Sequence, residues 1–488
     1  MGKAPMANQI SLLLAVLTAA VAAVALHLIH RWWNVQKGEK KTNNDKNQAV
    51  HLPPGSTGWP LIGETFSFYR SMTSNRRRKF IDDREKRYNS DIFVSHLFGS
   101  QVVVSSDPQF NKYVLQNEGR FFQAHYPKAI KALIGDYGLL SVHGDLQRKL
   151  HGIAVNLLMF ERLKFDFMEE IQNLVHSTLD RWADKKEISL QTECHQMVLN
   201  LMAKQLLDLS PSKETNEICK LFVDYTNAVM AIPIKIPGST YAKGLKARKV
   251  LIRKISNMIK DRRDHPHIVH KDLLTKLLEE GSISDEIICD FILFLLFAGH
   301  ETSSRAMTFS VKFLTTCPKA LNQMKEEHDA ILKAKGGHKK LEWDDYKSMK
   351  FTQCVINETL RLGNFAPGVY RETKEDTKVK DCLIPKGWLV FAFLTATHLD
   401  EKLHNEAHTF NPWRWELDQD VSNDHLFSPF GRGARLCPGS HLARLELALF
   451  LHIFITRFRW EALADEHHLY FPLPYLSKGF PMCLYDRE

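Results

Sequence analysis

The sequence predicts a mainly α-helical fold with small β-sheets (α+β), built as one large domain behind an N-terminal membrane helix. Three observations lead there. Apolar residues recur at helical spacing through residues 160–260, Ile287–Leu314, Phe351–Leu362 and His441–Phe454, whereas period-two runs are short and few. After residue 58 no linker-like Gly/Ser/Pro-rich segment interrupts the chain, so its 488 residues read as one body and not as the about three domains that length alone suggests. Finally, Ile10–Ile29 is an apolar run broken only by Ser11, Thr18 and His27, long enough to cross a hydrocarbon core of roughly 30 Å.

The resulting division is an anchor over residues 1–30, a basic, polar linker ending in a proline-rich hinge over 31–58, and the main domain over 59–488. Arg31, Lys37, Lys40 and Lys41 follow the apolar run while only Lys3 precedes it, which puts the bulk of the chain on the cytosolic side. A cleaved secretory signal is the alternative, since the alanines between Ala19 and Ala25 offer small-residue cleavage sites. With 44% hydrophobic and 25% charged residues, the composition is that of a globular protein with a sizeable core, which excludes a disordered chain. Eight scattered cysteines include no C-x-x-C pair, so they suggest neither a disulfide framework nor a zinc site. The net charge of +9 is spread out and no nucleic-acid module is visible, leaving a membrane face and an acidic redox partner as targets.

Taken in order, Pro53-Pro54 stiffens the hinge. Ile92–Phe98 and Val102–Val104 read as a hairpin, and Asp107-Pro108 as a helix cap with proline at the first helical position. The helix runs into Tyr113–Phe122, and Gln123–Gly144 reads as a loop. Ile232–Gly238 is an apolar loop with no need of a buried core, and His265, His267 and His270 lack companions at metal-ligand spacing. Cys382–Phe393 reads as a second hairpin turning at Pro385-Lys386-Gly387.

Chemistry concentrates in two places. Ile287–Leu314 is the longest helical pattern, apolar on every face from Phe291 to Ala298, as a helix through the domain centre would be. Ala298-Gly299-His300-Glu301-Thr302-Ser303 follows; an acid and two hydroxyls there are expensive unless they act or find partners, a Ser/Thr back-bonding kink being the plain alternative. Near the C-terminus, Phe430-Gly431-Arg432-Gly433-Ala434-Arg435-Leu436-Cys437-Pro438-Gly439 runs into an apolar helix. Cys437 thus sits at a helix N-terminus, which favours a thiolate, while Gly433 and Gly439 allow a tight turn beside a flat ligand.

The pattern F-x-x-G-x-R-x-C-x-G resembles the haem-thiolate loop of the cytochrome P-450 superfamily. Ala298–Ser303 resembles its oxygen-activation motif. Glu358 and Arg361 (E-x-x-R), with Arg414 in Phe410–Trp415 (FNPWRW), resemble its buried ion network, and the four motifs stand in the family's order. The resemblance implies the cytochrome P-450 fold, haem b, O2 as co-substrate and NADPH delivered through NADPH-cytochrome P-450 reductase. It makes Cys437 the iron ligand, with Phe430, Gly433 and Gly439 around it and Gly299 making room against the haem. Arg371 and Arg435, and more weakly Arg148, would hold the propionates; in the upstream segment Gln147 and His151 depart from the family pattern. Thr302 and Glu301 would handle protons for oxygen activation, and Phe122, Ala298, Phe365, Ala366 and Leu476 would line the substrate. The loop Gln123–Gly144 would lie over the haem, Ile232–Gly238 would touch the membrane, and the anchor would be a single pass in the endoplasmic reticulum.

Within the superfamily, PPGSTGWPLIGET, YVLQNEGRFF and LLFAGHETSS resemble the plant branch that oxidises isoprenoids, and most of all the brassinosteroid-pathway C-22 hydroxylases. The expected reaction is therefore hydroxylation of a sterol side chain at C-22. Oxidation of a diterpenoid, triterpenoid or abscisic acid, or of C-16 or C-26 of the sterol, is the alternative. A peroxide-using isomerase or a haem sensor would not need Glu301 and Thr302.

Overall fold

The computed structural model describes residues 51–487 except 60–62, 75, 159–162, 230, 232, 337–339, 364, 418–425 and 471–472. The expected anchor Ile10–Ile29 and most of the linker lie outside these residues.

A single helix, Asp285–Thr316, runs through the largest apolar cluster. It is long and apolar enough to cross a membrane, but 67% of its most apolar 18 residues are buried inside the protein, as befits a core helix. Against it pack the helices Leu190–Leu207, Lys350–Gly363 and Ser440–Arg457, the last buried from Leu442 to Ile455 apart from Ala443 and Arg444. The helix pair Lys213–Val229 and Thr240–Asp264 covers one side of this core. Gly244 is what lets the two approach, since a Cβ there would fall 1.9 Å from that of Ala228.

A five-stranded sheet stands beside the helices, in the order Ile92–Leu97, Ser100–Ser105, Leu389–Ala392, Val369–Thr373 and Phe122–Ala124. The first pair is the expected hairpin, with register Leu97↔Ser100. Its turn is Phe98-Gly99, both at positive φ, the conformation whose twist matches the strands. Asp107 caps the next helix, Pro108–Gln116, accepting from the Phe110 N–H at 2.6 Å. That helix stops at Gln116, because residues 122–124 pair with Val369–Thr373 instead.

Two expectations fail here. Cys382–Ile384 pairs with Thr377–Val379, whereas Leu389–Ala392 joins the large sheet, so Pro385-Lys386-Gly387 links two sheets and is not a hairpin turn. Gln123–Gly144 is not a bare loop either: it carries a strand end and the helix Lys128–Ile134.

Candidate active site

The cysteine loop is closed by the Cys437 N–H donating to the Phe430 carbonyl at 3.0 Å, and Gly433–Arg435 form one 3₁₀ turn within it. Gly433 (φ +68) is needed where the loop crosses the helix Pro108–Gln116: a Cβ would fall 2.3 Å from the Leu115 carbonyl oxygen. At Gly439 a Cβ would meet only the Cys437 sulfur within 4 Å, leaving space beside the thiol. Burial pushes the Cys437 thiol above its ordinary pKa, the Gly439 N–H working the other way.

The loop is braced by the helix Gly144–Leu157. Gln147 donates to the Ala434 carbonyl at 3.1 Å, and His151 Nε2 lies 2.8 Å from the Leu436 carbonyl oxygen. The two departures from the family pattern therefore have a place. Arg148 between them faces solvent, paired with Asp145, and is not brought to the other two arginines.

Arg435 and Arg371 do meet, across Glu118: Arg435 Nε lies 2.7 Å from Oε1 and Arg371 Nε 2.6 Å from Oε2. Arg435 also donates to the Leu139 and Val142 carbonyls at 2.9 and 2.7 Å. Two guanidinium groups share one carboxylate, and the contact between Arg371 Nε and Glu118 Oε2 is too poorly aligned to satisfy either buried atom. Such a pair keeps capacity for further anions. Glu118 lies inside the quoted YVLQNEGRFF, but nothing in its spacing announced the role.

On the central helix, Thr302 donates to the Ala298 carbonyl at 2.8 Å. Gly299 faces the helix Leu190–Leu207, where a Cβ would fall 2.5 Å from the Met202 methyl carbon. The atom it would meet is the far end of a flexible side chain, so packing makes only a mild demand for glycine here. Glu301, 2% exposed, accepts from Arg305 Nε and Nη2 at 3.0 and 2.6 Å. Burial opposes its charge, but Arg305 and the histidines His300 and His195 win and hold it near a pKa of about 2. Arg305 also donates to the Pro474 carbonyl at 2.7 Å, fastening the C-terminal loop to the acid. The i, i+4 spacing from Glu301 to Arg305 was a legible signal.

Of the expected lining, Ala298, Phe365 and Leu476 adjoin one apolar cluster, with Phe309 edge-on to Phe365 at 6.0 Å. Ala366 is exposed, and Phe122 is buried elsewhere, in the sheet's own core against Tyr113. Its neighbours there come from the sheet and from the helix Pro108–Gln116, not from the central helix.

Glu358 and Arg361, both fully buried, form a two-pronged pair at 2.9 and 2.8 Å. Arg361 further donates to the His398 and Ala407 carbonyls; Glu358 accepts from Arg414 at 3.2 Å, from the Asn411 N–H at 2.9 Å and from the Trp415 indole at 3.0 Å. The expected trio is assembled, and Trp415 joins it.

Glu446 was not foreseen. It is 1% exposed, its Oε1 has no partner, and burial raises its pKa to about 7 against a hydrogen bond with Ser303. Since the unfolded value lies near 4.3, the folded state holds the proton longer, and stability falls as pH rises from about 4 through 7, by about 3 to 4 kcal/mol. The difference in thermal unfolding between wild type and Glu446→Gln, followed from pH 5 to 8, should show this decline, since buried histidines with lowered pKa values push the wild-type curve the other way below about pH 6.5.

Residues 53–474 match the cytochrome P450 family. The chain belongs to the cytochrome P450 family. A cytochrome P450 is a haem-thiolate monooxygenase that uses haem iron, O2 and electrons from NADPH through a reductase, and the paired arginines, the cysteine loop and the space beside Gly439 fit that cofactor. The chain is 90% identical over 99% of its length to an abietadienol/abietadienal oxidase of Pinus taeda, all of which is covered. It is 37% identical over 96% of its length, and 94% of the relative, to a steroid (22S)-hydroxylase of Oryza sativa subsp. indica. In fold it resembles a cyanobacterial CYP120A1 with retinoic acid bound, with a TM-score of 0.80, 26% identity, and coverage of 90% of this chain and 100% of the other. These findings overturn the sterol C-22 expectation. The likeness to the steroid hydroxylases is real but distant, and the diterpenoid alternative has the much nearer relative.

Proposed function

We propose that this cytochrome P450 oxidises a diterpenoid primary alcohol of the abietadienol kind to its aldehyde, and the aldehyde to the acid. The carrying observation is the 90% identity, over 99% of the chain, to an abietadienol/abietadienal oxidase. The retinoic acid of the CYP120A1 neighbour, also an isoprenoid acid, adds support for the size class of the substrate.

Each turnover consumes one O2, one NADPH and one proton; one oxygen atom enters a C–H bond and the other leaves as water. Insertion at the carbinol carbon gives a geminal diol, which loses water to the aldehyde, and insertion into the aldehyde C–H gives the acid. Bound haem supplies the oxygen activation. Cys437 would ligate its iron, whose charge stabilises the thiolate that burial disfavours, while Arg371 and Arg435 hold the propionates. Thr302, its proton directed to the Ala298 carbonyl, keeps lone pairs for a water, and the neighbouring Glu301, ionised, would pass protons on through water. Ala298, Phe365 and Leu476 orient an apolar ring system by shape.

The test is product analysis with a reductase and NADPH on abietadienol, abietadienal, cholesterol and campesterol. Aldehyde and acid from the diterpenoids, without sterol turnover, is the expected result; sterol hydroxylation without diterpenoid oxidation would sink the proposal. In the same assay Thr302→Ala should cut product by about tenfold or more and divert NADPH to peroxide.

We further infer an anchor at residues 1–30 in the endoplasmic reticulum membrane, with the domain on the cytosolic side and NADPH-cytochrome P450 reductase as donor. The apolar run and its charge asymmetry support this, as do the exposed Trp59, Phe66, Ile234 and Ile236. Release of the chain from microsomes by alkaline carbonate would contradict it.

A further inference from the structure

Beside Glu301, on the side away from Arg305, the fold brings together two histidines that are 105 residues apart in sequence. His195, on the helix Leu190–Leu207, places Nδ1 3.2 Å from His300 Nε2 and 3.9 Å from Glu301 Oε1. His300 Nδ1 lies 3.4 Å from the same oxygen. One donor atom from each residue falls within 4.8 Å of the other two. One imidazole gives an ion one nitrogen, and with one donor atom per residue the set spans up to 4.8 Å, so the side chains would close by up to about 1.4 Å to reach the spacing of about 3.4 Å that a tetrahedral zinc ion with bonds of about 2.1 Å imposes.

Ordinary core packing does not account for the cluster. His300 is 3% exposed, yet its Nδ1 has no hydrogen-bond partner, although buried polar atoms are nearly always paired. The carboxylate is presented one oxygen at a time: both Arg305 bonds go to Oε2, leaving Oε1 toward the histidines. Phe222 sets the His300 ring edge-on at 5.4 Å, and the His195 side chain is 22% exposed, which gives an ion a path and a water a fourth position. The remaining charged neighbour, Arg305, opposes a divalent ion but sits on the far oxygen. Two imidazoles and one carboxylate favour zinc over magnesium or calcium, which prefer all-oxygen shells.

We propose that His195, His300 and Glu301 form a three-residue binding site for a zinc ion, separate from the haem ligand. Occupancy ties up Glu301 next to Thr302, so zinc restrains turnover; this second half rests on the role proposed above for Glu301, and the first does not.

The test is equilibrium dialysis of the purified full-length holoenzyme against zinc chloride, followed by elemental analysis per haem. The wild type should retain one more zinc than His195→Gln and than Glu301→Gln, each variant checked for its carbon-monoxide band. His267→Gln, at the exposed histidine pair with rings 6.0 Å apart, should leave that difference unchanged. Equal stoichiometry in wild type and in either correctly folded variant would overturn the site. Zinc that binds at this stoichiometry without slowing oxidation would leave the site standing and remove Glu301 from catalysis.

Discussion

Replacing Cys437 with histidine is expected to abolish the strongly red-shifted band of the reduced carbon-monoxide complex together with all monooxygenase activity. The loop backbone should survive, because its closure depends on the Cys437 N–H and the Phe430 carbonyl, and its bracing on Gln147 and His151, none of which involves the sulfur. What would disappear is the proposed anionic ligand, whose electron push favours O–O cleavage. Haem could still be retained through Arg371 and Arg435. The measurement is the difference spectrum of the purified variant beside its haem content, and a variant that keeps the red-shifted band would mean that some other group ligates the iron.

Glu358→Ala should be the most damaging change for stability. Removing one partner of a buried pair leaves the other charge uncompensated, at a cost of about 3 to 5 kcal/mol. The loss extends further here, since the Trp415 indole, the Asn411 N–H and Arg414 would all be left without their acceptor. Glu358→Gln keeps acceptor oxygen but not charge, and should fall between. The pH dependence has a definite sign. Burial opposes ionisation of Glu358, but Arg361 lowers its pKa below the ordinary value, so the contribution is present above the unfolded pKa of about 4.3 and is lost as pH falls through the folded one. Chemical denaturation midpoints at pH 7, with haem retention as a second probe, would measure it. A loss below about 1 kcal/mol would show that the neighbouring carbonyls hold Arg361 unaided.

Elements with local causes were legible in the sequence. The Asp107 cap, the Gly99 turn and the central helix follow from cap chemistry, positive φ and apolar periodicity, and all three are where the residues put them. The motif residues were legible as types, but their partners were not. Glu118 between two arginines and Trp415 on Glu358 are long-range meetings set by tertiary packing, on which spacing along the chain is silent. The same limit explains Gly299, whose neighbour is a methionine nearly a hundred positions away, and Phe122, whose strand partner Thr373 lies about 250 positions away. Substrate choice was the least legible property. It depends on the shape of an apolar wall, and shape changes of one methylene are worth only about 1 to 3 kcal/mol.

Arg305 holds the Glu301 carboxylate with one edge of its guanidinium and the Pro474 carbonyl with another nitrogen. The C-terminal loop that carries Pro474 is therefore mechanically geared to the acid of the central helix. A substitution that shifts this loop is expected to reset the posture of that acid as well, so that the efficiency with which electrons become product changes along with any change in binding preference.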